Sequence, residues 1–319
     1  MKKILVTLPL SGSGIDDLKE VFEVVQPQEG RYTRAELLSI LPECHGILAT
    51  MGVDAEMIQA AKNLKIISVY GAGYNSIDME EATRHNILVA NAPESVTEAT
   101  AEITFGLMVD VMRNISSRDR WLRQNPNSNW GMLMNEGHNL FRKTLGIVGL
   151  GRIGKAVARR GQAFGMKVFY FNRNPLTHEM EEELGVRYLS LDELLKTSDV
   201  VSLNTPLTSQ TRKMIGEEQL NLMKDSAFLI NTARGEVVDE EALIRHLEQG
   251  KLAGAGLDVF EKEPHIPEAL LKLDNVVLTP HIGTATNEVR EQMTKEASQN
   301  IIDFFQGRMP NSTINPQVF

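Results

Sequence analysis

Short β-branched runs alternate with stretches of helical periodicity almost from end to end of this 319-residue chain. That alternation is the mark of βαβ units and of parallel sheets, whose strands are buried on both faces and so read as near-continuous apolar runs. Candidate strands fall at 3–8, 45–49, 65–70, 87–90, 144–148, 167–171, 199–203, 226–230, 254–258 and 275–278. These are too many for one six-stranded sheet, and the length suits about two domains at roughly 150 residues each. A dividing point lies near residue 93. There Asn91-Ala92-Pro93 closes a strand, and Ser95-Val96-Thr97-Glu98 reads as a capping box opening a long helix, over 98–115, with Ile103, Leu107, Met108 and Val111 at helical spacing. A last helix, roughly 286–306, places Val289, Met293, Ala297, Ile301 and Phe305 four apart, an apolar face wide enough to return the chain to the first domain. The expected division is 1–97 with 287–319, and 98–286. Residues 121–142, with Trp121, Trp130 and several Asn and Gly, show no clean period and are expected to form an arm or loop.

Leu145-Gly146-Ile147-Val148 runs straight into Gly149-Leu150-Gly151-Arg152-Ile153-Gly154, and a helix with Ile153, Ala156, Val157 and Phe164 on one stripe follows. Such a strand, turn and helix calls for glycine three times: Gly149 for the tight turn, Gly151 for backbone approach to a pyrophosphate, and Gly154 for helix-to-strand contact. The helix N-terminus then offers unpaired N–H groups to phosphates. The fold class is therefore α/β, with two Rossmann-like, doubly wound parallel-sheet domains, the first flavodoxin-like and the second dinucleotide-binding. About 20 residues further on, an Asp or Glu would accept from the ribose 2'-OH of NAD. This chain instead has Asn172-Arg173 after Tyr170-Phe171, and Arg173 brings a permanently charged planar fork matched to a 2'-phosphate. NADP(H) is the expected cofactor, with NAD the alternative.

Three later segments each place a reactive side chain just past a predicted strand, where doubly wound sheets collect their sites. They are Asn231-Thr232-Ala233-Arg234-Gly235, Asp258-Val259-Phe260-Glu261-Lys262-Glu263-Pro264 and Thr279-Pro280-His281-Ile282-Gly283. An Arg, a Glu and a His beside a nicotinamide are the set that carbonyl reduction requires. Arg234 would hold a carboxylate and polarise the keto oxygen, His281 would donate the proton, and Glu263 would hold the imidazole in its protonated form.

With these motifs in order, the chain resembles the D-2-hydroxyacid dehydrogenase family over nearly its whole length, the match extending to Gly254-Ala255-Gly256-Leu257 ahead of Asp258. The resemblance implies that the family's catalytic Arg, Glu and His fall on Arg234, Glu263 and His281. It implies that Asp258 engages the nicotinamide carboxamide, and that Arg152 and Ile153 meet the pyrophosphate. It also makes 68–78 a substrate loop whose backbone N–H groups at Ala72 and Gly73 grip the carboxylate. Members acting on 3-phosphoglycerate carry arginines after the second strand, whereas this chain has Thr50-Met51-Gly52-Val53 there with no cation. Neutral Thr50 and Met51 with Tyr74 suit a small or hydroxylated 2-keto acid. Within the family the chain is similar to glyoxylate/hydroxypyruvate reductases, including those that reduce 2-ketogluconate, and a homodimer through the 98–115 helix and the 121–142 arm is implied.

Composition narrows the rest. A formal net charge of -9 provides no long-range attraction toward nucleic acid or anionic membrane. Cys44 is the single cysteine, which excludes an intrachain disulfide and fits a reducing, cytoplasmic setting. The seven histidines show no metal-ligand spacing, so no metal is expected. No apolar run approaches the ~20 residues of a membrane span. Two rival readings stay open: an NAD-dependent D-lactate-type or phosphoglycerate-type dehydrogenase, and a dinucleotide-sensing, corepressor-like scaffold on the same fold.

Overall fold

The computed structural model describes residues 1–132, 134 and 136–319. Two positions of the expected 121–142 arm, 133 and 135, lie outside the described residues. The chain forms two compact units, one of residues 1–96 with 284–319 and one of residues 97–283.

In the first unit, strands β1 (Lys3–Val6), β2 (Glu23–Val25), β3 (Gly46–Ala49), β4 (Ile66–Val69) and β5 (Leu88–Ala90) pair in parallel in the order β2-β1-β3-β4-β5. This is the flavodoxin-like order. One face packs Leu5, Ile47, Ile67 and Val89 against Leu37, Met57 and Ile58. The other packs Ile4, Val6, Leu48, Ile66 and Leu88 against Ile15, Leu18, Ala297 and Ile301. The last two come from the helix Asn287–Phe305, whose Val289, Met293, Ala297 and Ile301 are buried as their spacing predicts. Full burial of a side chain such as Ile301 contributes about 2 kcal/mol. Polar pairs fix that helix's register: Ser68 Oγ donates to the Ala297 carbonyl at 2.8 Å, and Asn300 Nδ2 to the Asn91 carbonyl at 3.0 Å. Glu291 on the same helix accepts from Ser13 N–H at 3.1 Å, so the chain's own carboxylate fills the N-terminus of helix Ser13–Val21.

The second unit holds β6 (Thr144–Val148), β7 (Lys167–Phe171), β8 (Arg187–Tyr188), β9 (Val200–Leu203), β10 (Phe228–Asn231), β11 (Gly254–Leu257) and β12 (Val276–Leu278). All pair in parallel, in the order β12-β11-β10-β9-β6-β7-β8. Strand order reverses between β6 and β9, the switch point at which ligands of open α/β sheets bind.

Three local features depart from the sequence reading. β2 and β8, of three and two residues, are additional edge strands. They are too short for an apolar period to show, and they form because β1 and β7 offer them open edges. The 98–115 helix ends at Arg113, because Asn114 turns left-handed at φ 57°, and a second helix, Ile115–Gln124, occupies the start of the expected arm. That helix has no buried residue and therefore no apolar stripe to reveal it. Ser95 and Glu98 also part company. Ser95 N–H and Oγ donate to Glu296, while the Glu98 carboxylate accepts from Arg159 at 2.6 Å and Arg160 at 2.8 Å.

Candidate active site

The glycine turn is held from both sides. Gly149 N–H donates to the Phe171 carbonyl at 2.9 Å, and Leu150 N–H to Asn172 Oδ1 at 2.7 Å, so Asn172 braces the turn with its side-chain oxygen. Gly149 has φ 96°, and a Cβ there would stand 2.8 Å from the Asn204 carbonyl oxygen. A Cβ on Gly154 would stand 2.2 Å from the Gly149 carbonyl oxygen. Both are required by the fold itself. Gly151 is not: no described atom lies within 4 Å of where its Cβ would be, and helix Arg152–Ala163 begins immediately after it. At the end of β9, the strand beside β6, Asn204 Oδ1 and Thr205 Oγ1 are buried without a hydrogen-bond partner among the described residues. A bare glycine, a helix N-terminus and the orphaned Thr205 hydroxyl at the switch point fit the diphosphate of a dinucleotide, and the orphaned Asn204 oxygen, an acceptor, fits a ribose hydroxyl beside it. Arg173 is exposed beyond β7, its Nη1 donating to Gln210 Oε1 at 3.1 Å.

The three expected catalytic residues emerge from the C-terminal ends of the neighbouring strands β10, β11 and β12. Asn231, buried at the end of β10, ties the loop that follows: its Nδ2 donates to the Arg234 carbonyl at 2.9 Å, and its Oδ1 accepts from Ala233 N–H at 3.0 Å. Arg234 Nη1 donates to the Ala233 carbonyl at 2.6 Å. Burial pushes the guanidinium below its ordinary value, against the opposing charges of Glu263 and Glu236, though an arginine stays protonated at any working pH. Next to it, Gly235 is pressed on the following loop, since a Cβ there would lie 1.9 Å from the Phe260 carbonyl carbon. That contact seats the Arg234 loop on the Glu263 loop.

Glu263 Oε1 accepts from Phe260 N–H at 3.1 Å, and Oε2 lies 2.8 Å from His281 Nδ1. Burial alone would raise the Glu263 carboxyl. The His281 hydrogen bond and charge, the Phe260 N–H and the Arg234 charge outweigh it and hold the group below the usual carboxylate range. An ionised carboxylate only accepts, so Nδ1 carries the proton between them, and Nε2 is the nitrogen left for a substrate. Asp258, also buried, stands at the end of β11 with its carboxylate toward residues 279–283.

In the first unit, the loop after β4 turns on Gly71 at φ 135°. Asn91 Nδ2 donates to the Ala72 carbonyl at 2.7 Å, and Ala92 N–H to the Gly71 carbonyl at 2.8 Å. The Ala72 and Gly73 N–H groups have no acceptor among the described residues. Met51 packs on the core beneath β3, beside Thr50, whose N–H donates to Thr7 Oγ1 at 2.8 Å. Sequence reading overlooked Asn231, Gly235 and Thr279. The motifs contain all three, but only their contacts show what each holds.

Residues 105–283 match the family described as D-isomer specific 2-hydroxyacid dehydrogenase, NAD binding domain. The chain is 45% identical over 323 aligned residues to glyoxylate reductase of Thermococcus litoralis, covering 99% of this chain and 97% of that one. It is similar to the crystal structure of a glyoxylate reductase from Paecilomyes thermophila, with a TM-score of 0.90, 35% identity and 99% of each chain covered. An NADPH-dependent glyoxylate/hydroxypyruvate reductase from Sinorhizobium meliloti, solved with NADP and malonate, has a TM-score of 0.88 and 31% identity, with 100% and 98% of the two chains covered.

Proposed function

The chain belongs to the D-isomer specific 2-hydroxyacid dehydrogenase family, and from that premise we propose that it is an NADPH-preferring reductase of glyoxylate, hydroxypyruvate or 2-ketogluconate. The activity common to these is NAD(P)H-dependent reduction of a small 2-keto acid, and the D-2-hydroxy acid is the product. The observation that carries the reading is the 2.8 Å pair of His281 and Glu263, on loops leaving β12 and β11, with β10, which delivers Arg234, on the other side of β11.

Gly149, Gly151 and Gly154, with Arg152 and Ile153 at the helix N-terminus, would hold the dinucleotide's diphosphate, and Asn172 and Arg173 its ribose end. When bound, the nicotinamide supplies the hydride for the carbonyl carbon. Arg234 binds the substrate carboxylate and polarises the keto oxygen with a charge already desolvated by burial. His281 gives the proton from Nε2 to that oxygen, and Glu263, ionised, steadies the imidazolium before transfer and fixes the ring's orientation. In the other direction the neutral imidazole takes the proton back. Ala72 and Gly73 are the proposed backbone donors to the carboxylate because their N–H groups lack internal partners, and Met51 is a neutral contact suited to an unphosphorylated substrate.

A homodimer is part of the same proposal. Ile115, Leu122, Trp130, Met132, Met134 and Phe141 are all exposed within one segment, Trp130 at 66% and Met132 at 97%, more apolar surface than a short solvated stretch normally carries. Among the described residues no helix is long and apolar enough to cross a membrane, and no group of His, Cys, Asp and Glu could hold a metal ion. Cytoplasmic placement rests on Cys44, buried with its thiol pushed up to about 11 by desolvation, a packing residue suited to reducing conditions.

Oxidation of NADPH and NADH measured against glyoxylate, hydroxypyruvate, 2-ketogluconate and pyruvate tests the reading. Turnover is expected with NADPH ahead of NADH. His281→Gln should lower kcat by about 10²-fold or more with NADPH affinity kept. No turnover on any of the four acids would favour the scaffold reading instead.

A further inference from the structure

Four hydrogen bonds run from residues 279–283 to a single buried residue. Asp258, 1% exposed, takes the Thr279 hydroxyl on Oδ1 at 2.6 Å and Ile282 N–H on the same oxygen at 2.8 Å. Its Oδ2 takes Gly283 N–H at 2.9 Å, and its own carbonyl takes His281 N–H at 2.9 Å. At the centre of this segment His281 has φ 52°, a left-handed conformation that a non-glycine residue keeps only when its surroundings hold it there. Successive N–H groups around a left-handed residue make a concave nest for an anion, and the Asp258 carboxylate fills it. A carboxylate so buried depends on every donor it has. Thr279 supplies it with a side-chain hydroxyl donor, and the reaction as derived above makes no use of that group.

We propose that Thr279, acting through Asp258, is a positioning residue that holds His281 in the backbone conformation from which Nδ1 meets Glu263 and Nε2 is presented to the substrate. The inference rests on the reading of His281 as proton donor. It differs from the expectation that the Asp258 carboxylate serves the nicotinamide carboxamide: a carboxylate engaged by the loop affects proton delivery, whereas one engaged by the cofactor affects cofactor affinity.

Thr279→Val removes the hydroxyl at nearly constant volume, and Thr279→Ser restores it. The two variants and the wild type are compared for kcat on glyoxylate, for NADPH affinity by nucleotide fluorescence, and for amide hydrogen exchange over 279–283. For Thr279→Val the expected result is a kcat lower by about tenfold, NADPH affinity within about twofold of wild type, and faster exchange at Ile282 and Gly283. Thr279→Ser should recover most of kcat. A kcat equal to wild type, a loss of NADPH affinity matching the loss of kcat, or failure of Thr279→Ser to rescue would each overturn the proposal. Should Thr279→Val bind no NADPH because it does not fold, Thr279→Ala, which removes the same hydroxyl without a branched methyl in its place, carries the same comparison with the same outcomes. If wild type itself turns over no keto acid, the proposed function fails, and the exchange rates still decide whether Thr279 holds the loop.

Discussion

In the proposed function Gly151 serves cofactor binding and Arg173 cofactor choice. Gly151 leaves space where any side chain would stand, which serves either dinucleotide equally. Arg173 distinguishes them, because a guanidinium gains a bidentate, charge-assisted pair with a 2'-phosphate and gains little from a bare hydroxyl. Its present partner, Gln210 at 3.1 Å on an exposed surface, is an uncharged acceptor that a phosphate outcompetes. Arg173→Ala should therefore raise the KM for NADPH by about tenfold or more and leave that for NADH within about twofold. Equal changes in steady-state kinetics would remove Arg173 from the assignment. At this scale the sequence was unusually legible. Gly149, Gly151 and Gly154 are read from the conformational needs of one turn, and those needs are local. Asn172 was less so: it occupies the position of the ribose-binding acid, yet its oxygen braces Leu150 N–H, a contact that depends on how β7 ends beside β6.

Among the elements, the loops after β10 and β11 behave as one piece because Gly235 lets them touch. A Cβ at 235 would overlap the Phe260 carbonyl group and approach Glu261 N to 2.4 Å, and these are backbone atoms with nowhere to yield. Gly235→Ala should lower stability by about 1–3 kcal/mol, read as a fall in Tm of several degrees, and reduce kcat/KM by at least about tenfold as the Arg234 and Glu263 loops part. A variant with wild-type Tm and turnover would show that the contact is not needed. Long amphipathic elements were legible, the 287–305 helix above all, since a repeating apolar face encodes its own burial. The break at Asn114 and helix Ile115–Gln124 were not, because a left-handed asparagine costs little and a helix with no buried face leaves no pattern.

For the whole molecule, the exposed apolar side chains between Ile115 and Phe141 bear on assembly. Covered by a second copy of the chain, they become an interface core, so light scattering should give twice the 35.5 kDa of one chain. A mass of 35.5 kDa would contradict the dimer. The sequence by itself determined the α/β class, the parallel strands and the glycine turn, and it singled out Arg234, Glu263 and His281 as candidates. Each depends on a short-range pattern or on a residue type that a particular chemistry demands. Only the tertiary structure decided that Glu263 meets Nδ1 of His281, that Asp258 fills the nest of residues 279–283, and that Gly235 joins two loops. Strand order decides those meetings. β10, β11 and β12 lie side by side, so side chains as far apart in the chain as Glu263 and His281, 18 residues, emerge as neighbours, and no local preference records which side chains will then face one another.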